Sequence, residues 1–292
     1  GQLTGFALMM LAREDDSRIF SRDIRLNVMS LQEPKIDELP ELWLSLSLNG
    51  EWNKGQSGEL FGVVQANFAE QQADSRYHLL ETLFQRFAQA KTFGSLIDVS
   101  DVDVDALGKL YETLLELSAG DDAVRRVAAE KLLPIVHQAV VLAGKYDAVI
   151  ANPPYMGGSY HNPILKKFIN NKYPKVKADL FAAFIERCFN LSSTSGRLSI
   201  VSPYLWMFIS SYEKLRQDIL SSHTLDSLIQ LEYNAFEPAC IPVCTFTVNS
   251  SYIKDYSGSF IKLTSFKGHQ NQAPRTLEAI KNGKIFGGEK SQ

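Results

Sequence analysis

Residues 146–155 read YDAVIANPPY, and the change of character inside this stretch decides the architecture of the chain. Tyr146 to Ala151 is short, apolar and β-compatible, which predicts a strand. Pro153 and Pro154 then remove two backbone donors and fix φ, so the strand has to end at Asn152. What lies on either side says which kind of sheet this strand joins.

Downstream, a polar stretch rich in Gly, Asn and Lys runs to Ala178 and reads as loop. Residues 179–189 are amphipathic, with Leu180, Phe181, Phe184, Ile185, Cys188 and Phe189 on one side, which predicts a helix. Ser195-Gly196 reads as a turn before a strand over 198–201. A helix over 212–220 and strands over 225–231, 243–248 and 260–263 follow. Strand alternating with helix predicts an α/β sheet, and the two late strands without a helix between them predict an antiparallel edge. Beyond Lys267 the composition is that of a linker with at most one short helix.

Upstream, Leu3, Phe6, Ala7, Met10 and Leu11 fall at helical spacing. Periodicity is poor over 27–62, where Pro34, Pro40 and Asn49-Gly50 punctuate short apolar runs. Helical stripes return over 77–93, around Leu110, Leu114 and Leu117, and over 122–142, where Pro134 predicts a kink or break near Leu133. The expected division is 1–26 as the start of a core, 27–143 as a mainly helical insertion, 144–268 as the C-terminal part of the core, and 269–292 as a linker.

The 292 residues are 45% hydrophobic and 22% charged, a folded composition large enough for one core plus a smaller module. A net charge of -3 and a pI of about 6.0 give no general attraction to a polyanion, so nucleic-acid binding requires a local basic surface or a part of the protein outside this sequence. Three cysteines, Cys188, Cys240 and Cys244, are too few for a disulfide framework and suit a reducing cytoplasm. No apolar run approaches the length of a membrane span. The chain opens on Gly1 inside an uncapped helical pattern, which leads one to expect a piece whose natural start lies upstream.

Ligands of open α/β sheets bind beyond the carboxyl ends of strands, where Asn152 to Tyr155 stands. The Asn152 side-chain oxygen and the Pro153 carbonyl are two acceptors able to hold both N–H groups of an aromatic amine. Held so, its nitrogen pyramidalises and its lone pair can reach an electrophilic carbon. The prolines stiffen the backbone that presents the acceptors. Tyr155 can stack on a flat substrate, a contact worth roughly 1 to 3 kcal/mol per base. Asp147 sits at the far end of the strand and is a poor candidate for a base. From local composition alone, the four residues also fit a simple turn.

ANPPY at 151–155, followed by Met156-Gly157-Gly158, resembles the catalytic motif of amino-group DNA methyltransferases. With KADLFAAFIERCFNL (177–191), GRLSIVSPYLWMFISSYEKLRQDIL (196–220) and LEYNAFEPACIPVCTFTV (231–248), the chain is similar to large adenine-specific methyltransferases of bacteriophage-exclusion (BREX) systems and to related type IIG restriction-modification enzymes. The resemblance covers 144–268 best and the opening GQLTGFALMMLAR less closely.

It implies a partial Rossmann-like, S-adenosylmethionine-dependent methyltransferase sheet of the α/β class carrying a mainly helical insertion. The donor is S-adenosylmethionine and the substrate an adenine flipped from double-stranded DNA, at a cost of a few kcal/mol. Asn152, Pro153, Pro154 and Tyr155 become the catalytic set, and Asp179 and Phe181 fall in the segment that shapes the donor and base pockets. The glycine-rich turn and ribose-binding acid of the family pattern are not found before Asn152 and are expected upstream of Gly1, with a target-recognition region beyond Gln292. Other defence-system proteins are implied partners, and the cytoplasm the implied location.

Lys166, Lys167, Lys172, Lys175 and Lys177 flank the motif and are candidate DNA-phosphate contacts, or else a solvated loop. Asp101, Asp103, Asp105 and Glu112 match part of a calcium-loop register, but its required glycine is Ala106, so helix capping is the better reading. Cys240 and Cys244 have no nearby histidine, the five histidines form no local ligand pattern, and no metal site is expected. Trp206 to Ile209 read as core or pocket wall rather than as an exposed recognition surface. Asn-Pro-Pro-Tyr also serves RNA-base and protein-glutamine methyltransferases, and a noncatalytic DNA-binding or interaction module is the alternative from another class.

Overall fold

The computed structural model describes residues 2–24, 26–48, 73–236 and 241–282. Asn49, Gly50 and Cys240 lie outside them. The chain divides into two compact units, Gly1–Ala143 and Gly144–Gln292.

The first unit is helical: α1 (Gln2–Asp15), α2 (Leu39–Leu46), α3 (Ser75–Phe87), α4 (Val104–Ser118) and α5 (Ala123–Ala143). Leu46, Leu80, Leu83, Phe87, Leu107, Leu114, Leu132, Val136 and Ala139 are buried in one cluster, to which α2, α3, α4 and α5 all contribute. Capping is local. The Asp74 carboxylate accepts from Arg76 N at 2.8 Å and pairs with the Arg76 guanidinium, which holds its pKa below the usual carboxylate range. Asp103 accepts from the backbone N–H of Asp105 and Ala106 at the start of α4. Asp101 pairs with Arg86, so these members of the acidic run serve as a cap and an ion pair.

Two readings of this unit are sharpened. Of the kink or break expected near Leu133, the break does not occur: α5 runs from Ala123 to Ala143, with Leu132, Ile135 and Val136 buried on either side of Pro134. Tertiary burial outweighs the roughly 3 kcal/mol that an interior proline costs. The aperiodic region contains α2, an eight-residue helix with Pro40 at its start, whose Leu39, Leu42, Trp43 and Leu46 are all buried.

The second unit is an α/β sheet. Its strands are β1 (Tyr146–Ala151), β2 (Ser192–Pro203), β3 (Thr224–Gln230), β4 (Val243–Asn249) and β5 (Ser259–Lys262), in the order β1-β2-β4-β3-β5. Between β1 and β2 come α6 (Pro163–Lys172) and α7 (Leu180–Leu191); α8 (Glu213–Ser222) precedes β3, and α9 (His269–Lys281) closes the described chain. β1 and β2 are parallel, joined by a Rossmann-like crossover through α6 and α7. β4 is antiparallel to both β2 and β3, and β5 is parallel to β3. The carboxyl ends of β1, β2, β3 and β5 therefore share one edge of the sheet.

The late antiparallel strand is thus internal rather than an edge. Val243, Cys244, Phe246, Val248 and Asn249 are all buried, as a strand with neighbours on both sides requires. Nor is Ser195-Gly196 a turn, since β2 is continuous through it. Gly196 instead permits a close approach: a Cβ there would lie 2.8 Å from the Tyr146 carbonyl oxygen, next to an irregularity in the β1–β2 register. The tail is more than a linker, because buried Gln272 of α9 accepts from Glu232 N at 3.1 Å and donates to Phe266 O at 2.7 Å.

Candidate active site

Asn152 to Tyr155 leave β1 at the shared carboxyl edge. Asn152 and Pro154 are exposed, Pro153 is buried and Tyr155 is half-buried. The Tyr155 hydroxyl donates to Asn152 Oδ1 at 3.2 Å. Behind it, Phe181 meets the Tyr155 ring edge-on at 6.4 Å between centroids, and Tyr212 lies 5.5 Å beyond Phe181. Burial raises the pKa of Tyr155 and pushes that of Tyr212 up to about 12, with the Asp179 charge adding to the latter. Both phenols are neutral donors at physiological pH.

The loop after Tyr155 is fastened at several points. Met156 N donates to Asp179 Oδ1 at 3.0 Å, and the same oxygen caps α7 by accepting from Phe181 N at 3.2 Å. Leu180 N donates to Met156 O at 3.0 Å, and Gly158 N to Ala178 O at 3.0 Å. His161 is buried and places Nε2 3.0 Å from the same Met156 carbonyl. Burial is the largest influence on Asp179 and raises its pKa, opposed by the backbone donors of Phe181, Met156 and Leu180.

Of the residues singled out in sequence, Asn152, Tyr155, Asp179 and Phe181 converge on this loop. Asp179 is engaged by the loop and by α7, and Phe181, 1% exposed, forms the wall behind Tyr155 rather than an open surface. Trp206 is buried against Phe246 at 5.0 Å, whereas Phe208 is 67% exposed, so 206–209 is part wall and part surface. Arg216 Nη1 holds that segment through the carbonyls of Trp206 and Ile209, both at 2.7 Å. The five lysines are all exposed. Three of them, Lys166, Lys175 and Lys177, line one cleft beside the loop together with Lys214; Lys167 and Lys172 do not line it.

Sequence reasoning missed α6, His161, Tyr212 and Lys214. For α6 the signal was there: Asn162-Pro163 is a cap followed by a first-turn proline, and Asn162 Oδ1 accepts from Leu165 N at 2.8 Å. The other three reach the site through space, His161 by binding a backbone carbonyl, which leaves no pattern in sequence.

Residues 36–236 match the family model described as Eco57I restriction-modification methylase. The adenine-specific methyltransferase BrxX of Escherichia coli O9:H4 (strain HS) is 43% identical over 238 residues, 80% of this chain and 19% of that protein. The adenine-specific methyltransferase PglX of Lacticaseibacillus casei (strain Zhang) is 27% identical over 291 residues, 96% of this chain and 22% of that protein. The type II restriction enzyme and methyltransferase RM.Eco57I of Escherichia coli is 24% identical over 129 residues, 42% of this chain and 13% of that protein. The chain thus spans about a fifth of the length of the first two relatives. The family model takes in β1, the Asn152 to Tyr155 loop and the Asp179 clamp along with most of the helical unit, and on that match the chain belongs to the Eco57I restriction-modification methylase family.

Proposed function

We propose that the chain is the adenine-presenting part of a DNA adenine-N6 methyltransferase of a phage-defence or restriction-modification system. The observation that carries this reading is an exposed Asn152 at the carboxyl end of β1, followed by a loop that Asp179 and His161 hold fixed. Asn152 Oδ1 and the Pro153 carbonyl accept the two N–H groups of adenine N6. Tyr155, backed by Phe181, stacks on the flipped base. No general base is needed, because the proton leaves after the nitrogen has become cationic. Of the five lysines that flank the motif, Lys166, Lys175 and Lys177 line the cleft beside the loop and supply a local basic surface for double-stranded DNA in a chain of net charge -3.

S-adenosylmethionine, when bound, supplies the electrophilic methyl group. Asp179 and Phe181 do not by themselves form a pocket for it. The Asp179 Oδ1 atom is used by two backbone donors, and Phe181 is buried. These two residues shape the acceptor side, where the task of the chain is to hold and orient the amine. On this reading 1–26 begins the methyltransferase core, 27–143 is inserted in it, and 144–268 completes it. The reading also implies a cytoplasmic protein working beside other defence proteins; no helix among the described residues is long and apolar enough to cross a membrane.

The test is Asn152→Ala in the full-length natural protein, with a labelled methyl donor and duplex DNA. Transfer to DNA is expected to fall by about two orders of magnitude or more, the scale of losing a preorganised polar contact to the reacting group. Donor binding should stay near the parent value. Unchanged transfer, or transfer that prefers RNA or protein over duplex DNA, overturns the reading.

A further inference from the structure

A cleft of about 890 Å³ opens beside the catalytic loop, two residues beyond Tyr155. One wall is the loop backbone at Gly157 and Gly158, where no side chain stands in the way. The segment leading into α8 adds Ser210 and Ser211 to the lining, and the first turn of α8 adds Lys214. Lys166 of α6 and the pair Lys175 and Lys177 complete it. Four lysines from separate stretches of chain thus face one carboxylate, Glu213, in a protein whose net charge is -3.

That composition selects an anion. Lysine ammoniums are point charges that impose no planar geometry, so four of them from separate stretches of chain in one cleft of about 890 Å³ suit successive phosphates better than a single carboxylate or nucleobase. Serine hydroxyls donate to phosphate oxygens. Because the cleft shares its wall with the loop that carries Asn152, its occupant belongs to the same substrate.

Resting on the function proposed above, we infer that this cleft grips the sugar–phosphate backbone of the nucleic-acid strand whose base is offered to Asn152. Lys166, Lys175, Lys177 and Lys214 are the phosphate contacts, aided by Ser210 and Ser211. Lys167 and Lys172 stand outside it. The run of five lysines is therefore divided by the fold, and its missing partner, Lys214, is 37 residues beyond Lys177 in sequence.

The experiment compares two double variants of the full-length natural protein, Lys166→Ala/Lys214→Ala and Lys167→Ala/Lys172→Ala. Duplex DNA binding is followed by fluorescence anisotropy across a salt series, with melting temperatures checked for equal folding. The first variant is expected to weaken binding on every sequence and to flatten the slope of log affinity against log salt by about 1.8, roughly 0.9 for each phosphate no longer neutralised. The second should leave the slope unchanged. Equal slopes in the first variant and the parent, equal losses in both variants, or no duplex binding at any salt concentration overturn the assignment. Methyl transfer by Asn152→Ala is read separately: loss there beside parental binding in the first variant removes the cleft and keeps the proposed function. Persistent transfer with the expected slope change keeps the cleft and removes the proposed role of Asn152.

Discussion

Asp179 is half-buried between two stretches of chain, and one of its oxygens serves both, accepting from Met156 N in the loop and Phe181 N in α7. An asparagine oxygen can accept the same two bonds, whereas alanine accepts none. Asp179→Ala is therefore expected to lower folding stability by about 1 kcal/mol, the usual worth of an amino-terminal cap, and to reduce methyl transfer more than Asp179→Asn does. Urea unfolding and turnover on duplex DNA check this. The pH dependence has a definite sign. The folded-state pKa of Asp179 is raised above its ordinary 3.8, so the folded protein holds that proton more tightly than the unfolded chain. Its contribution is most favourable below pH 3.8 and diminishes as pH rises through the raised value; Asp179→Asn should remove that part of the slope. At this scale, Asn152 to Tyr155 stood out in sequence as one contiguous motif, and Asp179 and Phe181 were singled out only through the family resemblance. His161, Tyr212 and Lys214 were not, since they come to the site by folding.

Elements were legible where one face alone is buried. The helices over residues 75–87, 104–118 and 180–191 show clear apolar stripes, and caps at Asp74, Asp103 and Asp179 mark their starts. α2 has eight residues and α6 ten, and α6 buries only Leu165 and Ile169, so neither makes a long stripe. Ser195-Gly196 misled for a different reason, because glycine marks close packing as well as turns. Gly196→Val is accordingly expected to destabilise the second unit by about 1 to 3 kcal/mol, the range for forcing extra atoms into a packed site, as its branched side chain meets the Tyr146 carbonyl. A denaturation midpoint equal to the parent's would show that the strand pair can move apart there at little cost.

At the scale of the whole molecule, the sequence conveyed the α/β class and the change of character at Gly144. The strand order it could not convey, because an internal antiparallel strand and an edge strand both read as short apolar runs. That order leaves β1 as an outer strand among the described residues, with Ile150 82% exposed, while α1 exposes Leu3, Phe6 and Leu11. An outer strand with an exposed apolar side chain templates association. Sedimentation velocity of the 292-residue chain should show concentration-dependent association, and Ile150→Lys should shift it toward the monomer. A parent chain that stays monomeric across the concentration series contradicts this.

The hydrogen bond from Tyr155 to Asn152 Oδ1 gives the resting site a property of its own. On the proposed function, the acceptor for the substrate amine already has a donor, so a base enters by exchange rather than by filling a vacancy. A flat ring without a suitable N–H displaces the hydroxyl and offers nothing in return, which leaves the amide oxygen unsatisfied. On that reading, discrimination between amine-bearing and amine-free bases begins with what the idle loop does with its own side chains, before any reaction.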